Sequence, residues 1–320
     1  MIMGRIIRIG TRESQLAIWQ STQVKQLLAG NGFDSELVTI KSEGDIDLVT
    51  PLYEIGVQGI FTRSLDAALL NDRIDIAVHS MKDVPVQLAE GIQQAAVLKR
   101  GSYKDIFVPH PDLNNQQRAS IVSRISERPG QPQEVVIATS SIRRIAQWLN
   151  RYPVDKTENL RGNVNSRLCK LKESAWHGAI FAAAGLERLG LRPENSIELD
   201  WMLPAPAQGA IMVVCRDDDQ FSLDACKNFD DTDTALCTKI ERDFLKGLLG
   251  GCSTPISALA QIKKDKVHFN GNMLSPDGKE KTETSFLIDR AQAAELGKTA
   301  AEKILDEGGK AVAEKIRHAK

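Results

Sequence analysis

Short apolar runs alternate with segments of helical periodicity along most of the chain, and this alternation restricts the possible folds more than any other feature. In the N-terminal part, strand-like runs occur at residues 5–9, 36–40 and 75–78, with helical patterns between them. The alternation resumes further on, with strand-like runs at 135–138 and 179–181. Strands separated by helices favour mainly parallel sheets that are covered by helices. The sequence therefore predicts an α/β fold.

The two alternating stretches contain similar strand-to-helix turns. IGTR (9–12) leads into one helical segment and IATS (137–140) into another, and both turns combine small hydroxyl residues with a nearby arginine. Two similar α/β domains that face each other across a cleft explain this likeness, and chance explains it equally well. The polar stretch between them, 109–133, is predicted to be an excursion on the surface.

The last ninety or so residues follow a different pattern. Apolar residues recur at every fourth position from 236 to 248, which is typical of a helix that faces a core. Three strand-like runs follow at 255–262, 267–274 and 282–288, and the sequence SPDG (275–278) predicts a tight turn between the last two. Two helical segments end the chain. This part is predicted to be a smaller α+β domain with an antiparallel sheet.

Bulk charge gives this chain no general attraction to anions. Its 320 residues carry a formal net charge of −1, so we expect neither nucleic acid nor an anionic membrane as a partner. Arginines interrupt the first twelve residues where a secretion signal would be apolar, and five cysteines without metal-ligand spacing predict neither a disulfide framework nor a zinc site. We therefore expect a cytoplasmic protein that binds anions only through local arginine clusters.

One cysteine differs from the other four. Cys169, Cys215, Cys226 and Cys237 lie in helical or strand patterns and are interpreted as small core residues. Cys252 lies in the loop GGCSTP, between the end of a helix and the start of a strand, where glycines allow close approach of a ligand. On spacing alone, the loop is better explained as a helix cap that is followed by a buried cysteine.

Arginines lie beside hydroxyl residues at predicted helix starts in both halves of the chain. Backbone N–H groups at helix starts, together with the planar guanidinium fork, suit carboxylates or phosphates. This arrangement favours a polyanionic ligand in the cleft, although arginines on helices are also common on solvated surfaces. The residues concerned are Arg12, Ser14, Thr139, Ser140, Ser141, Arg143, Arg144, Arg161, Arg167 and Arg188.

A second polar set follows the strand-like run at 75–78. Lys82 and Asp83 come at the end of DIAVHSMKDVP (75–85), at the sheet edge where open α/β folds bind ligands. Asp83 is a candidate for stabilising a nearby cation or transferring protons, and an ordinary turn before Pro85 is the alternative. The chain contains no dinucleotide fingerprint, no phosphate-binding P-loop and no paired-histidine metal motif.

Seven segments together closely resemble the porphobilinogen deaminase family, also called hydroxymethylbilane synthases. They occur in the family's order and span nearly the whole chain: IGTRESQLAIWQ (9–20), DIAVHSMKDVP (75–85), ATSSIRR (138–144), LRGNVNSRL (160–168), AAAGLERLGL (182–191), LPAPAQGA (203–210) and GGCSTP (250–255).

This resemblance implies a fold of two α/β domains that are similar to periplasmic binding proteins, plus a smaller α+β C-terminal domain with an antiparallel sheet. The implied boundaries are 1–100 with 209–228 for domain 1, which holds the catalytic aspartate. Domain 2, at 101–208, is rich in carboxylate-binding arginines, and domain 3, at 229–320, carries the cofactor cysteine.

The resemblance also assigns roles to residues by position. Cys252 would hold a dipyrromethane cofactor through a thioether, and Asp83 would be the catalytic carboxylate. The other cofactor-binding residues would be Lys82, Thr139, Ser140, Arg143, Arg144, Arg161 and Gly162. The substrate-binding residues would be Arg12, Ser14, Gln20, Phe61, Arg161, Arg167, Arg188 and Gln208.

The implied activity is that of a transferase in tetrapyrrole and heme biosynthesis. Four porphobilinogen molecules would be joined head to tail with loss of ammonia, and hydrolysis would release hydroxymethylbilane to the next enzyme of the pathway. The enzyme would act as a monomer and would use no metal. Residues 42–60 would form a lid, in which Glu54 and Gln58 replace the lysines that are usual in the family.

Two other functions compete with this interpretation. A non-catalytic two-lobed protein that binds organic acids would explain the arginine-lined cleft, but it would leave the third domain and the Gly-Gly-Cys loop unexplained. A cysteine-dependent acyl transferase lacks a recognisable base, because none of the five histidines lies in a nucleophile motif.

Overall fold

The structure is a computed structural model that describes residues 5–41, 59, 61–126, 134–248 and 254–318. Its strands are β1 (Ile7–Thr11), β2 (Ser35–Thr39), β3 (Ile76–Ser80), β4 (Ile92–Val97), β5 (Asp105–Pro109), β6 (Val136–Ala138), β7 (Lys156–Glu158), β8 (Gly178–Ala182), β9 (Ile197–Glu198), β10 (Ile211–Arg216), β11 (Ile256–Lys263), β12 (Lys266–Leu274) and β13 (Lys281–Asp289). Its helices are α1 (Gln15–Gly30), α2 (Arg63–Leu70), α3 (Asn115–Ser126), α4 (Ile142–Arg151), α5 (Val164–Lys172), α6 (Ala183–Arg188), α7 (Gln220–Cys226), α8 (Thr232–Gly247), α9 (Leu296–Ile304) and α10 (Lys310–His318).

Two five-stranded sheets have the same strand arrangement. The sheet of the first lobe has the order β2-β1-β3-β10-β4, and that of the second lobe has the order β7-β6-β8-β5-β9. In each sheet the first three strands are parallel, and the fourth strand, β10 or β5, is antiparallel to both of its neighbours. The similarity of the two strand-to-helix turns therefore reflects two lobes with one topology.

Helices cover the sheets because successive side chains of a strand point to opposite faces. In β3, Ile76 and Val78 pack in an apolar cluster with Val24 and Leu28 of α1. Ala77 packs on the other face in a separate cluster that includes residues of α2. The prediction of an α/β fold with mainly parallel sheets is thereby confirmed: in each sheet four strands run in one direction, and only the fourth in the order, β10 or β5, is reversed.

The chain crosses between the lobes twice. It leaves the first sheet after β4 to form β5 in the second sheet, and it returns after β9 to form β10 in the first. Both crossings meet at one place, where Gly101 N donates to the carbonyl of Gly209 at 3.1 Å. Gly209 has a φ of +87°, and a Cβ there would lie 2.5 Å from the Ser102 carbonyl, so only glycine fits this crossing.

The C-terminal part is a separate antiparallel sheet with helices. Strands β11, β12 and β13 form a meander, and α8, α9 and α10 bury apolar side chains against it. Phe244 of α8 packs edge-to-face on Phe269 of β12, with ring centroids 5.2 Å apart. The predicted antiparallel sheet and its flanking helices are confirmed.

Two predictions were wrong. The polar stretch 109–133 is not simply a surface excursion: α3 lies within it, and Ile121 and Ile125 are buried in the core of the second lobe. Most residues of this helix are polar, so two apolar residues four positions apart were too weak a signal. Cys169 is exposed on α5, whereas Cys215, Cys226 and Cys237 are buried as predicted.

Candidate active site

The first lobe contributes the turn between β1 and α1. Ser14 caps α1, because its hydroxyl accepts a hydrogen bond from Ala17 N at 3.3 Å. Arg12 precedes it, and its guanidinium carbon lies 4.4 Å from the centre of the Phe61 ring, a cation–π contact. Gln20, one turn further along α1, is buried and donates to the hydroxyl of Ser80 at 2.9 Å.

Lys82 and Asp83 lie in a short 3₁₀ turn directly after β3. The turn is held from the C-terminal part of the chain, because Arg242 of α8 donates to the carbonyls of Val84 at 2.9 Å and Pro85 at 2.6 Å. Asp83 therefore lies on a backbone segment that two parts of the molecule fix. We did not predict Arg242, since nothing in its local sequence distinguishes it from other helix arginines.

The second lobe contributes the turn between β6 and α4. Thr139 and Ser140 are buried, and the Ser140 hydroxyl donates to the Leu160 carbonyl at 2.9 Å. Arg143 and Arg144 follow in the first turn of α4 and are only 4% exposed each. The structure thus places these arginines inside the molecule.

A buried carboxylate that we did not predict holds both arginines. Asp105, at the start of β5, accepts from Arg143 Nη2 at 2.7 Å and from Arg144 Nη2 at 2.7 Å. Burial alone would raise the pKa of Asp105, but the two guanidinium charges and their hydrogen bonds outweigh it and lower the pKa to about 2. The sequence feature that could have indicated this buried carboxylate is the position of Asp105 directly before the apolar run IFV.

Arg161, Gly162 and Arg167 lie between β7 and the first turns of α5. Arg161 is buried, and Arg167 Nε donates to the carbonyl of Gly162 at 2.8 Å. Gly162 has a φ of +116°, and a Cβ there would lie 2.9 Å from Ser166 Cβ, so a side chain would be strained and crowded. The glycine thus lets the backbone between the two arginines fold tightly.

Charges from both lobes act on one another in this region. The pKa of Lys82 is lowered to about 8, mainly by burial; the charges of Arg144 and Arg143 contribute, whereas those of Asp83 and Asp105 oppose the shift. Burial also lowers the pKa of Arg167 to about 10; Arg144 and Arg161 contribute to this shift and Asp83 opposes it. We call this set the charged cluster: Lys82, Asp83, Asp105, Arg143, Arg144, Arg161 and Arg167.

The charged cluster carries more positive than negative charge. Its five cationic side chains outnumber its two carboxylates, and the neighbouring arginine charges add to the effect of burial in lowering the pKa of Lys82 and of Arg167. Like charges at close range are costly in a buried place, so a polyanion is the ligand that would relieve the strain. The cluster can therefore bind several carboxylates at once.

Arg188 and Gln208 lie near the two chain crossings. Arg188 Nη2 donates to the Gly209 carbonyl at 2.7 Å, and its guanidinium carbon lies 5.7 Å from the ring of Trp19. These contacts place Arg188 in a groove of about 390 Å³ between α1 and α6 rather than with the charged cluster. Gln208 contacts the charged cluster, because its Nε2 donates to Asp105 at 3.0 Å.

His79 of β3 was also missed. Its imidazole is 6% exposed, and within the described part of the chain no group hydrogen-bonds to its Nε2. Burial lowers the pKa of His79 to about 4, and the charge of Arg12 contributes. The imidazole is therefore neutral at physiological pH.

Some predicted residues lie outside the described residues. Cys252 is one of them, and so are Glu54 and Gln58 of the predicted lid. Their positions relative to the charged cluster stay predictions. Among the residues that the structure describes, no helix is long and apolar enough to cross a membrane.

Two family models match the chain and together cover most of it. The model described as porphobilinogen deaminase, dipyromethane cofactor binding domain, matches residues 7–224. The model described as porphobilinogen deaminase, C-terminal domain, matches residues 235–306.

The chain belongs to the porphobilinogen deaminase family.

Similar proteins agree with this assignment along nearly the whole length. The porphobilinogen deaminase of Syntrophomonas wolfei is 39% identical over 312 residues, which cover 96% of this chain and 98% of that one. The chloroplastic porphobilinogen deaminase of Oryza sativa is also 39% identical, over 95% of this chain and 84% of its own length. The family resemblance predicted from the seven segments is confirmed.

Two α/β lobes with one strand arrangement and a smaller part with an antiparallel sheet are present, as predicted. One similar solved structure is the periplasmic VFT2 domain of Bordetella pertussis BvgS, with a TM-score of 0.40 and 13% identity over 70% of this chain and 85% of that one.

The charged cluster together with Gln208 fits the dipyrromethane cofactor of porphobilinogen deaminases. Each pyrrole ring of that cofactor bears carboxylates, and guanidinium groups bind carboxylates through paired hydrogen bonds. The pyrrole N–H groups need acceptors, and Gln208 Oε1 is a buried acceptor to which no described residue donates. The carboxylates and the pyrrole N–H groups of the cofactor therefore both have matching side chains in this chain.

Proposed function

We propose that this chain joins four porphobilinogen molecules head to tail on a dipyrromethane held by a thioether from Cys252, and that water then releases hydroxymethylbilane. Family membership supports this function directly. The observation on which the site assignment depends is the charged cluster, which combines Asp83 of the first lobe with the arginines of the second.

We propose that the second lobe holds the acidic side chains of the cofactor. Arg143, Arg144 and Arg161 supply buried guanidinium groups, and Lys82 adds a cation from the first lobe. Thr139, Ser140 and Gly162 lie in the turns beside them. When bound, the dipyrromethane supplies the carbon to which the first monomer is joined.

Asp83 is proposed as the catalytic carboxylate. Loss of ammonia from porphobilinogen leaves positive charge that spreads onto the nitrogen of the substrate ring. A carboxylate fixed beside that nitrogen stabilises the developing charge and accepts the proton that leaves when the new carbon–carbon bond forms. The hydrogen bonds from Arg242 to the neighbouring carbonyls keep Asp83 in place, which is the condition for such an effect.

Substrate carboxylates are proposed to bind at the margins of the cluster. The charges of Asp83 and Arg161 both act on Arg167. Arg12 makes a cation–π contact with Phe61 at the first-lobe turn. Arg188 lies further away, in the groove beside Trp19, so it suits a growing chain better than the first monomer. The remaining proposed substrate-binding residues are Ser14, Gln20 and Gln208.

We propose the domain boundaries 1–100 with 209–228, 101–208 and 229–320. Supporting them, the crossings between the lobes lie between β4 and β5 and between β9 and β10. The cytoplasmic location, the monomeric state and the transfer of product to the next tetrapyrrole-pathway enzyme stay predictions.

The alternative of a non-catalytic protein that binds organic acids has no support from the comparisons. One assay separates the two functions. The purified protein is incubated with porphobilinogen, and ammonia and linear tetrapyrrole are both measured. We expect four ammonia molecules for each tetrapyrrole and none with the Cys252→Ser variant. Binding of porphobilinogen without ammonia release would contradict the proposal.

A further inference from the structure

Asp105 gathers two side chains that helix geometry would separate. Arg143 and Arg144 are consecutive in α4, so their Cα–Cβ bonds point about 100° apart around the helix axis. Both guanidinium groups nevertheless meet at one carboxylate, with Arg143 Nη2 on Oδ2 and Arg144 Nε and Nη2 on Oδ1, at 2.7 to 3.1 Å. The Asp105 side chain is fully buried, so water does not compete for these bonds.

Each of the two guanidinium groups also donates a hydrogen bond to a backbone carbonyl. Arg143 Nη1 donates to the Leu203 carbonyl at 2.6 Å, and Arg144 Nη1 donates to the Ile180 carbonyl at 2.9 Å. A guanidinium has five N–H groups, and these contacts within the described chain use two of Arg143 and three of Arg144. Each arginine is therefore held firmly and still has N–H groups that can bind a ligand.

Asp105 also determines how Gln208 is oriented. The amide Nε2 of Gln208 donates to the Tyr103 carbonyl at 2.8 Å and to Asp105 Oδ1 at 3.0 Å. The reversed amide would place Oε1 against both of these oxygens, which excludes it. Oε1 consequently points away as an acceptor, and no described residue donates to it although Gln208 is only 1% exposed.

We propose that Asp105 is a positioning residue, which sets the two guanidinium groups and the Gln208 amide in the arrangement that admits the dipyrromethane. The inference rests on the proposed function and adds to it a residue that the family resemblance did not assign. Asp105 acts through its three partners and need not touch the cofactor itself.

A purely structural role is the competing explanation, because removal of a buried carboxylate destabilises most proteins. Asp155 is the matched control. It is a fully buried carboxylate in the same lobe, and it accepts from Arg124 at 2.7 Å, from Val135 N at 3.1 Å and from Trp148 Nε1 at 2.9 Å. Trp148 and Val135 belong to an apolar cluster of the second lobe, and none of the three donors belongs to the charged cluster.

The test measures cofactor loading by intact mass. Wild type, Asp105→Asn, Asp105→Glu and Asp155→Asn are each prepared without cofactor and incubated with porphobilinogen. Mass and melting temperature are then measured on the folded fraction from gel filtration. We expect wild type and Asp155→Asn to gain the dipyrromethane mass, with a lower melting temperature for Asp155→Asn. The loaded fraction of Asp105→Asn should fall by about tenfold or more, as expected for lost hydrogen bonds to a charged group.

Asp105→Glu separates position from charge. It keeps the carboxylate but moves it by one methylene, so it should fold even if Asp105→Asn does not. Positioning predicts that its loaded fraction also falls, whereas simple charge balance predicts normal loading. Normal loading of either Asp105 variant would overturn this inference alone. A wild-type protein that gains no mass would overturn the proposed function as well.

Discussion

Glu241 of α8 accepts hydrogen bonds from both terminal nitrogens of Arg100, at 2.6 and 3.1 Å, and its side chain is completely buried. Arg100 lies on the first crossing between the lobes. The same carboxylate accepts from Ala207 N, on the second crossing, at 2.6 Å and from Ala260 N of β11 at 2.8 Å. One side chain thus joins both crossings to the C-terminal sheet.

Replacement of Glu241 by glutamine should lower the free energy of unfolding by about 3 kcal/mol, because it leaves the Arg100 guanidinium without its buried counter-charge. Denaturant unfolding measures this loss. Lys239→Ala is the control, since Lys239 is largely exposed and pairs with Asp243 on the surface of the same helix. That variant should change stability little. Equal stability of wild type and Glu241→Gln would contradict the assigned role.

The Asp83→Asn substitution tests the proposed catalytic carboxylate. It keeps the size of the side chain but removes its charge, so turnover of porphobilinogen should fall by about a hundredfold or more. The Asp83→Asn protein should fold normally, because the hydrogen bonds from Arg242 to the Val84 and Pro85 carbonyls hold this turn through its backbone. Asp83 would have no part in the mechanism if the initial rate of ammonia release were unchanged.

The lowered pKa of His79 predicts how the free energy of unfolding depends on pH. The pKa of about 4 in the folded protein lies below the ordinary value of 6.5, so between these values the unfolded chain holds a proton that the folded one lacks. Stability therefore falls as the pH decreases through this range. The loss due to His79 should reach about 2 kcal/mol at pH 5 relative to pH 7.5.

The His79→Gln variant removes this titration. Its free energy of unfolding should decrease less than that of wild type between pH 7.5 and pH 5, when both are measured by urea denaturation at each pH. Parallel curves for the two proteins would show that His79 does not contribute to the acid sensitivity.

Periodicity predicted the elements that have long, regular patterns. The helix that places Leu236, Ile240 and Phe244 on one face is present as α8, and the three C-terminal strands pair as an antiparallel meander. Strand β5 escaped prediction because it is short and buried on both faces, so it shows no alternation. Helix α3 escaped because most of its residues are polar.

Apart from Phe61, every site residue that was predicted lies in one of the seven family segments. Asp105, Glu241 and Arg242 lie in none of the seven segments, and each acts on residues that are far away along the chain. Long-range partners of this kind follow from the packing of the lobes and of the C-terminal sheet. A local pattern does not encode them, so the structure was needed to find them.

Intact mass of the purified, active protein tests the central claim most directly. The account predicts a mass greater than that of the 320-residue chain by one dipyrromethane, and the unmodified mass for Cys252→Ser. The added mass should map to the peptide that contains Cys252. Wild-type protein that turns over porphobilinogen while its mass equals that of the bare chain would contradict the claim.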